Sequence, residues 1–158
     1  MRYRARMTGA RDMSKAITAR VERCRDGNDP DLIARMPSGW AILGKYQPEP
    51  IAGCCMLLPD PVVPSINDLD EPARTRFLLD FARLGDAVLE ATGAERINYL
   101  MLCNVVPELH GHVVPRFAHE DPAKRLMGPF EAYDFGASRV ADGAGVDGAL
   151  RERLGALL

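Results

Sequence analysis

Along residues 72–92, Phe77, Phe81, Leu84 and Val88 recur at spacings of four, three and four. Leu78 and Leu89 join them, while Arg74, Asp80, Arg83, Asp86 and Glu90 occupy other faces. That is the period of an amphipathic helix, and Asp70 as N-cap, Pro72 in the first turn and Gly93 as a left-handed stop mark its ends. A helix with one apolar stripe has to cover something, and the other apolar runs are short enough to be strands. Residues 40–46 and 51–58 are two such runs on either side of Gln47-Pro48-Glu49-Pro50, which predicts adjacent antiparallel strands, the second closed by Pro59, Pro61 and Pro64. Residues 97–104 predict a buried strand, and residues 108–114 another, bounded by Pro115. Residues 26–30 predict a turn, 31–35 a short helical piece that stops before Pro37, and 147–158 a last helix after a Gly-rich tail that starts at Phe135.

Composition narrows this to one core. The 158 residues, 47% hydrophobic and 27% charged, exclude disorder, and 6% aromatic content argues against a stacking platform for single strands. The longest apolar run, at 51–58, is far short of the roughly 20 residues that span a bilayer. The net charge of −2 conceals an asymmetry. Residues 1–25 hold eight basic side chains (Arg2, Arg4, Arg6, Arg11, Lys15, Arg20, Arg23, Arg25) against Asp12 and Glu22, so the leader is +6 and the rest −8. An arm for nucleic acid, a transit-type segment or a solvated helix over 13–24 that packs Ile17 and Val21 on the body all fit that leader. With no secretory signal core, and with Cys24, Cys54, Cys55 and Cys103 forming no CxxC pair, the expected compartment is the cytoplasm and the expected thiols are free and mostly buried.

The chemistry concentrates in Glu108-Leu109-His110-Gly111-His112-Val113-Val114-Pro115-Arg116, which carries two of the three histidines. In a strand, Glu108, His110 and His112 share one face at about 7 Å from one to the next. Three ionisable groups on one face of an apolar strand call for water or a polar ligand. Two readings of the residues stand open: a transition-metal site of Glu108, His110 and His112, or a phosphate site in which one imidazole attacks phosphorus while its neighbours hold the oxygens.

The flanks of this stretch, from Asn104 through Pro115-Arg116, resemble the signature of the histidine triad (HIT) superfamily, His-φ-His-φ-His-φ-φ with φ apolar. The similarity runs in the family's order over residues 38–118. It implies an α+β fold, an antiparallel sheet of about five strands with the long helix packed on it, in a domain over 37–135 between a basic, partly helical extension (1–36) and a tail (136–158). Matching Val113-Val114-Pro115-Arg116 to the family's ending makes His112 the third triad position, His110 the middle one and the nucleophile, and Glu108 a replacement of the first. A second register starts at His110, makes His112 the nucleophile and puts Val114 third.

The resemblance further implies a nucleotide substrate, a nucleotidyl-histidine intermediate, a homodimer and no cofactor; neither membrane nor nucleic acid is expected as a partner. His110 would donate one ring N–H to a backbone carbonyl and attack with the other nitrogen. His112, Asn104, Asn98 and Arg116 are candidates for phosphate or ribose contacts, and His119 is expected at the surface. Relatives contact the ribose near Lys45-Tyr46-Gln47 through an acid or amide, and no acid stands there. Glu108 is the departure that matters most. A carboxylate about 4 Å from a phosphate would cost on the order of 4 kcal/mol at an effective dielectric of 20, so it must be turned aside, protonated, or paired with His112 or Arg116. The alternative to an enzyme is a nucleotide-binding or sensing module, with the metal protein as a third reading.

Overall fold

The computed structural model of the chain describes residues 13–158; the basic side chains Arg2, Arg4, Arg6 and Arg11 fall outside them. Helix α1 (Ala16–Arg25) is followed by strands β1 (Leu32–Met36), β2 (Gly39–Leu43), β3 (Tyr46–Gln47) and β4 (Cys55–Pro59). Helix α2 (Glu71–Thr92) leads into β5 (Arg96–Leu100) and β6 (Gly111–Arg116), and α3 (Pro122–Arg125), α4 (Pro129–Ala132), β7 (Arg139–Val140) and α5 (Gly148–Leu157) complete the chain. Five strands form one antiparallel sheet in the order β1-β2-β4-β6-β5, and β3 pairs with β7 in a small second sheet.

The sheet is covered on both faces. On one, Ala41, Leu43, Cys55, Leu57 and Val113 meet Phe77, Phe81, Leu84 and Val88 of α2 and Leu154 of α5. On the other, Ile42 and Leu58 meet Ile17, Val21 and Cys24 of α1, and Val114 packs with Ile51, Cys54, Ala132 and Tyr133. The long helix has the expected ends: Asp70 accepts from the Ala73 N–H and Gly93 closes it at φ 72°. Asp80, expected on the polar side, is buried instead and accepts from the Ser38 N–H at 2.8 Å, tying α2 to the β1–β2 turn.

Three local expectations are corrected. Residues 31–35 form a strand, because the two-residue turn at Pro37-Ser38 folds them back onto β2, with Met36 opposite Gly39. Since β1 lies in the main sheet, the extension drawn to residue 36 takes in part of the domain. The strand expected over 97–104 ends at Leu100, and Cys103 turns the chain with φ 51°. The strand expected over 108–114 starts at Gly111, so Glu108 and His110 precede it, and Pro115 lies inside it. That proline sits past the end of the β4 ladder, which stops at Val113, where one edge of the strand needs no donor.

The charge asymmetry is partly internal pairing. Arg20 bonds Asp29 and Asp31, and Arg25 bonds Asp60, so α1 is fastened to the body by ions as well as by Ile17, Val21 and Cys24. Among the described residues no helix is long and apolar enough to cross a membrane.

Candidate active site

Position 112 lies in a seam. In the sheet register His112 stands beside Met56 of β4 and Leu100 of β5, and those two residues belong to the separate apolar clusters under α1 and under the 129–135 segment. The imidazole is therefore the polar group between two apolar walls. His110, one residue ahead of the strand, sets its ring nearly perpendicular to that of His112, at 79° with centroids 5.0 Å apart. Between them Gly111 faces α2, where a Cβ would come within 2.6 Å of the Phe81 ring; the absent side chain lets the helix press on the backbone that carries both histidines.

His110 is buried, and its Nδ1 lies 2.7 Å from the Glu108 carbonyl oxygen. A carbonyl only accepts, so Nδ1 carries a proton and Nε2 is the nitrogen left to act toward a substrate. Cys103 Sγ lies 3.8 Å from the His110 carbonyl oxygen and 3.9 Å from Nδ1.

His112 and Phe130 stand edge-to-face, with ring planes at 81° and centroids 5.2 Å apart. Burial and then the neighbouring His110 push its pKa down to about 4, so the ring is neutral near pH 7. An NMR pH titration of the His112 Cε1–H signal is expected to have its midpoint near 4, and Phe130→Ala to move that midpoint upward as water reaches the ring. A midpoint at the ordinary 6.5 in the unaltered protein contradicts the burial argument. The sign for stability follows: the unfolded chain binds the proton more readily, so this residue lowers stability as pH falls from about 6.5 toward 4.

Glu108 points away from both rings. Its carboxylate accepts from the backbone N–H of Ile17 at 2.9 Å, from that of Thr18 at 3.1 Å and from the Thr18 hydroxyl. Pairing with His112 or Arg116 is thus overturned: the carboxylate is satisfied at the start of α1, where the helix dipole favours a negative charge. For the same reason Glu108, His110 and His112 do not converge as metal ligands, and among the described residues no group of three or more His, Cys, Asp or Glu could hold a metal ion.

Arg116 is corrected as a phosphate contact. All five of its N–H groups are engaged: by Glu120, by Asn98 Oδ1 at 2.7 Å, and by the carbonyls of Met127 and Lys124, both at 2.8 Å. Asn98 is thereby drawn into the same structural network rather than to the histidines. Glu120, missed from sequence, is the network's centre and also accepts from the Tyr133 hydroxyl at 2.8 Å. Asn104 is exposed in the loop between β5 and His110. Gln47 is buried, its amide bonding the backbone of Gly44, Gly53 and Cys54. His119 is exposed, as expected, with Nε2 3.0 Å from the Pro50 carbonyl oxygen. No local signal marks Phe130 or Thr18 as site residues.

No family model and no curated protein matches the chain. Solved structures do. A histidine triad protein from Sinorhizobium meliloti is 21% identical with a TM-score of 0.65, over 89% of this chain and 94% of that one. A zinc-bound histidine triad family protein from Mycobacterium smegmatis is 20% identical with a TM-score of 0.63, over 92% and 96%. The fold is that of the histidine triad proteins. A hypothetical histidine triad nucleotide-binding protein from Sulfolobus tokodaii has the same histidine triad fold at 14% identity, with a TM-score of 0.65 over 87% of this chain and 89% of that one.

Proposed function

We propose that the chain is a nucleotide hydrolase or transferase acting at the α-phosphate of a nucleotide conjugate or dinucleoside polyphosphate, through a nucleotidyl-histidine intermediate on His110. The observation that carries this reading is the 2.7 Å bond from His110 Nδ1 to the Glu108 carbonyl, which leaves Nε2 as the nitrogen to attack, in a ring whose centroid is 5.0 Å from that of His112. In the first step Nε2 forms a bond to phosphorus while the bond to the leaving oxygen breaks, that oxygen taking the electron pair. Water or another acceptor then attacks phosphorus, loses its proton to bulk solvent, and the P–N electron pair returns to Nε2. His112 and Asn104 meet the phosphate oxygens, where charge develops. A neutral His112 is a poor proton donor near pH 7, so the preferred substrates are phosphoanhydrides or phosphosulfates, whose leaving groups depart as stable anions, ahead of phosphoramidates, whose amine must be protonated.

The deciding experiment is rapid quench with a dinucleoside polyphosphate followed by peptide mass spectrometry. A nucleoside monophosphate adduct on His110 is the expected result. An adduct on His112 would mean the other register, and turnover without any histidine adduct would sink the covalent mechanism. The low pKa of His112 also favours a second reading, a nucleotide-binding or sensing module with little catalysis. Tight binding of AMP or GMP in calorimetry, with no turnover of any conjugate, would select it.

The same reading includes a homodimer through α2 and β5, supported by Leu78 and Tyr99, which are exposed at 44% and 45% on these two elements. Leu78→Lys is expected to convert the dimer to monomer in sedimentation equilibrium; an unaltered protein that sediments as a monomer rejects the dimer. Four unpaired cysteines support a reducing cytoplasm as the place of action.

A further inference from the structure

The start of α1 has an unusual cap. The residue at the N-cap position, Lys15, makes no side-chain cap bond, and the two N–H groups that a capping side chain ordinarily takes, at the second and third helical positions, belong to Ile17 and Thr18. Both are taken by Glu108, some ninety residues along the chain. The Thr18 hydroxyl adds a third bond to the same carboxylate. The carbonyl of Glu108, meanwhile, is the acceptor that sets the tautomer of His110. One residue therefore holds a helix terminus with its side chain and the candidate nucleophile with its backbone.

We propose that Glu108 is the positioning residue of this site, coupling the docking of α1 to the orientation of the His110 ring. The inference rests on His110 as nucleophile, as in the reading above, and goes beyond it by giving a role to the carboxylate that replaces the first histidine. The orientation of the Glu108 peptide is set by where its side chain is tied. The backbone between Cys103 and Gly111 is irregular, with bends and no ladder, so no strand pairing holds that peptide in place. The carboxylate bonds to Ile17 and Thr18 are then what keep the carbonyl turned to Nδ1, together with the Leu109 N–H, which donates to the Val63 carbonyl at 2.8 Å. In return, the negative charge lies against the positive end of α1 and away from the place of the phosphate. Helix α1 also covers Ile42 and Leu58, next to the sheet position of His112, so the same anchor holds one wall of the site.

The test uses the full chain and reads two things that turnover does not enter: amide hydrogen exchange at Ile17 and Thr18, and the 15N shifts of the His110 ring nitrogens, which report the tautomer. In the unaltered protein both amides are protected and Nδ1 carries the proton. Glu108→Ala is expected to speed exchange at the two amides about tenfold, the scale of a lost helix cap, and to give His110 a mixture of tautomers. Glu108→Gln, which keeps an acceptor without the charge, is expected to fold in any case, to retain the Nδ1–H tautomer, and to speed exchange less. Released amides with an unchanged tautomer in Glu108→Ala would overturn the coupling, as would protected amides in that variant. If Glu108→Ala does not fold, Thr18→Val takes its place: faster exchange at Ile17 with some loss of the Nδ1–H tautomer supports the coupling, and a fixed tautomer rejects it. An unaltered protein that turns over no nucleotide conjugate yet follows this pattern rejects the nucleotidyl reading and leaves the positioning role standing. One that turns over substrate with its tautomer indifferent to Glu108 does the reverse.

Discussion

His110→Ala is expected to lower turnover of a nucleotide conjugate by about 10^4-fold or more while leaving the fold intact. The size follows from the role: removing a nucleophile removes the covalent path itself, and what is left is the rate the remaining electrostatics and binding support. The hydrogen-bonding cost is small, because the ring's one short bond is to the Glu108 carbonyl, worth on the order of 1 kcal/mol, beside a long contact of Cys103 Sγ at 3.9 Å from the same nitrogen. Substrate affinity should change far less than kcat. His112→Ala, by contrast, loses a polar contact to the phosphate and not the nucleophile, so it is expected to lose about 10^2 to 10^3-fold in kcat, as for a single donor of an oxyanion site. The measurement is steady-state kinetics on the two variants with thermal melts as the control for folding. If His110→Ala kept full activity while His112→Ala was dead, the nucleophile would be His112; if neither mattered, the catalytic reading would fall.

The second large effect concerns stability. Arg116→Met is expected to destabilise the protein by about 3–5 kcal/mol, read as a shift in urea midpoint, because it leaves the fully buried Glu120 carboxylate without its cation. That is a large share of the ~5–15 kcal/mol that holds a domain together. Burial pushes the Glu120 pKa up, but the bonds from Arg116, the Phe117 N–H and the Tyr133 hydroxyl more than offset it and hold the carboxyl below its usual range. Its folded pKa being depressed, the pair contributes stability that is present above the ordinary carboxylate range and is lost as pH falls through the lowered value. Arg116→Met with Glu120→Leu should lose less than Arg116→Met alone, since no buried charge is then stranded. The site should register the change too. Arg116 binds the Lys124 and Met127 carbonyls, just ahead of Phe130, so its removal frees the aromatic edge over His112 and raises that histidine's pKa. A loss under 1 kcal/mol with an unmoved His112 titration would show that the network anchors nothing.

These two arginine and histidine cases mark how far local pattern reaches. The spacing His-Gly-His ahead of Val-Val-Pro-Arg picks out a segment whose two imidazole rings stand 5.0 Å apart. The pattern also offered Arg116 as a phosphate contact, with a carboxylate partner as the alternative that the structure bears out, and put Glu108 on one face with the histidines; the phosphate contact and the shared face fail for one reason. Hydrogen-bond partners of a charged side chain are chosen in space, and here they come from Asn98, Glu120, Lys124 and Met127 for the arginine and from Ile17 and Thr18 for the carboxylate. Only Glu120, four residues on from Arg116, is a chain neighbour among these partners. Short elements fail similarly: residues 31–35 are too few for a period to separate helix from strand, and pairing with β2 decides the matter.

What sequence alone settled is whatever is repeated or local enough to be self-consistent. The 22-residue α2 is set by an apolar stripe from Phe77 to Leu89 and by caps at both ends; the single core is set by that helix beside several short apolar runs; the pair of candidate imidazoles is set by their spacing of two residues, while the α+β class and the choice between the two rings came from the resemblance. Tertiary contacts decided the rest. They turned the leader's helix into a covering of the sheet, turned a carboxylate that would repel phosphate into that helix's cap, and buried His112 beside His110 so that its pKa falls to about 4. The physical reason is common to all three. A buried charge or polar ring takes its energy from the few groups that desolvation forces against it, and which groups those are depends on how distant parts of the chain pack.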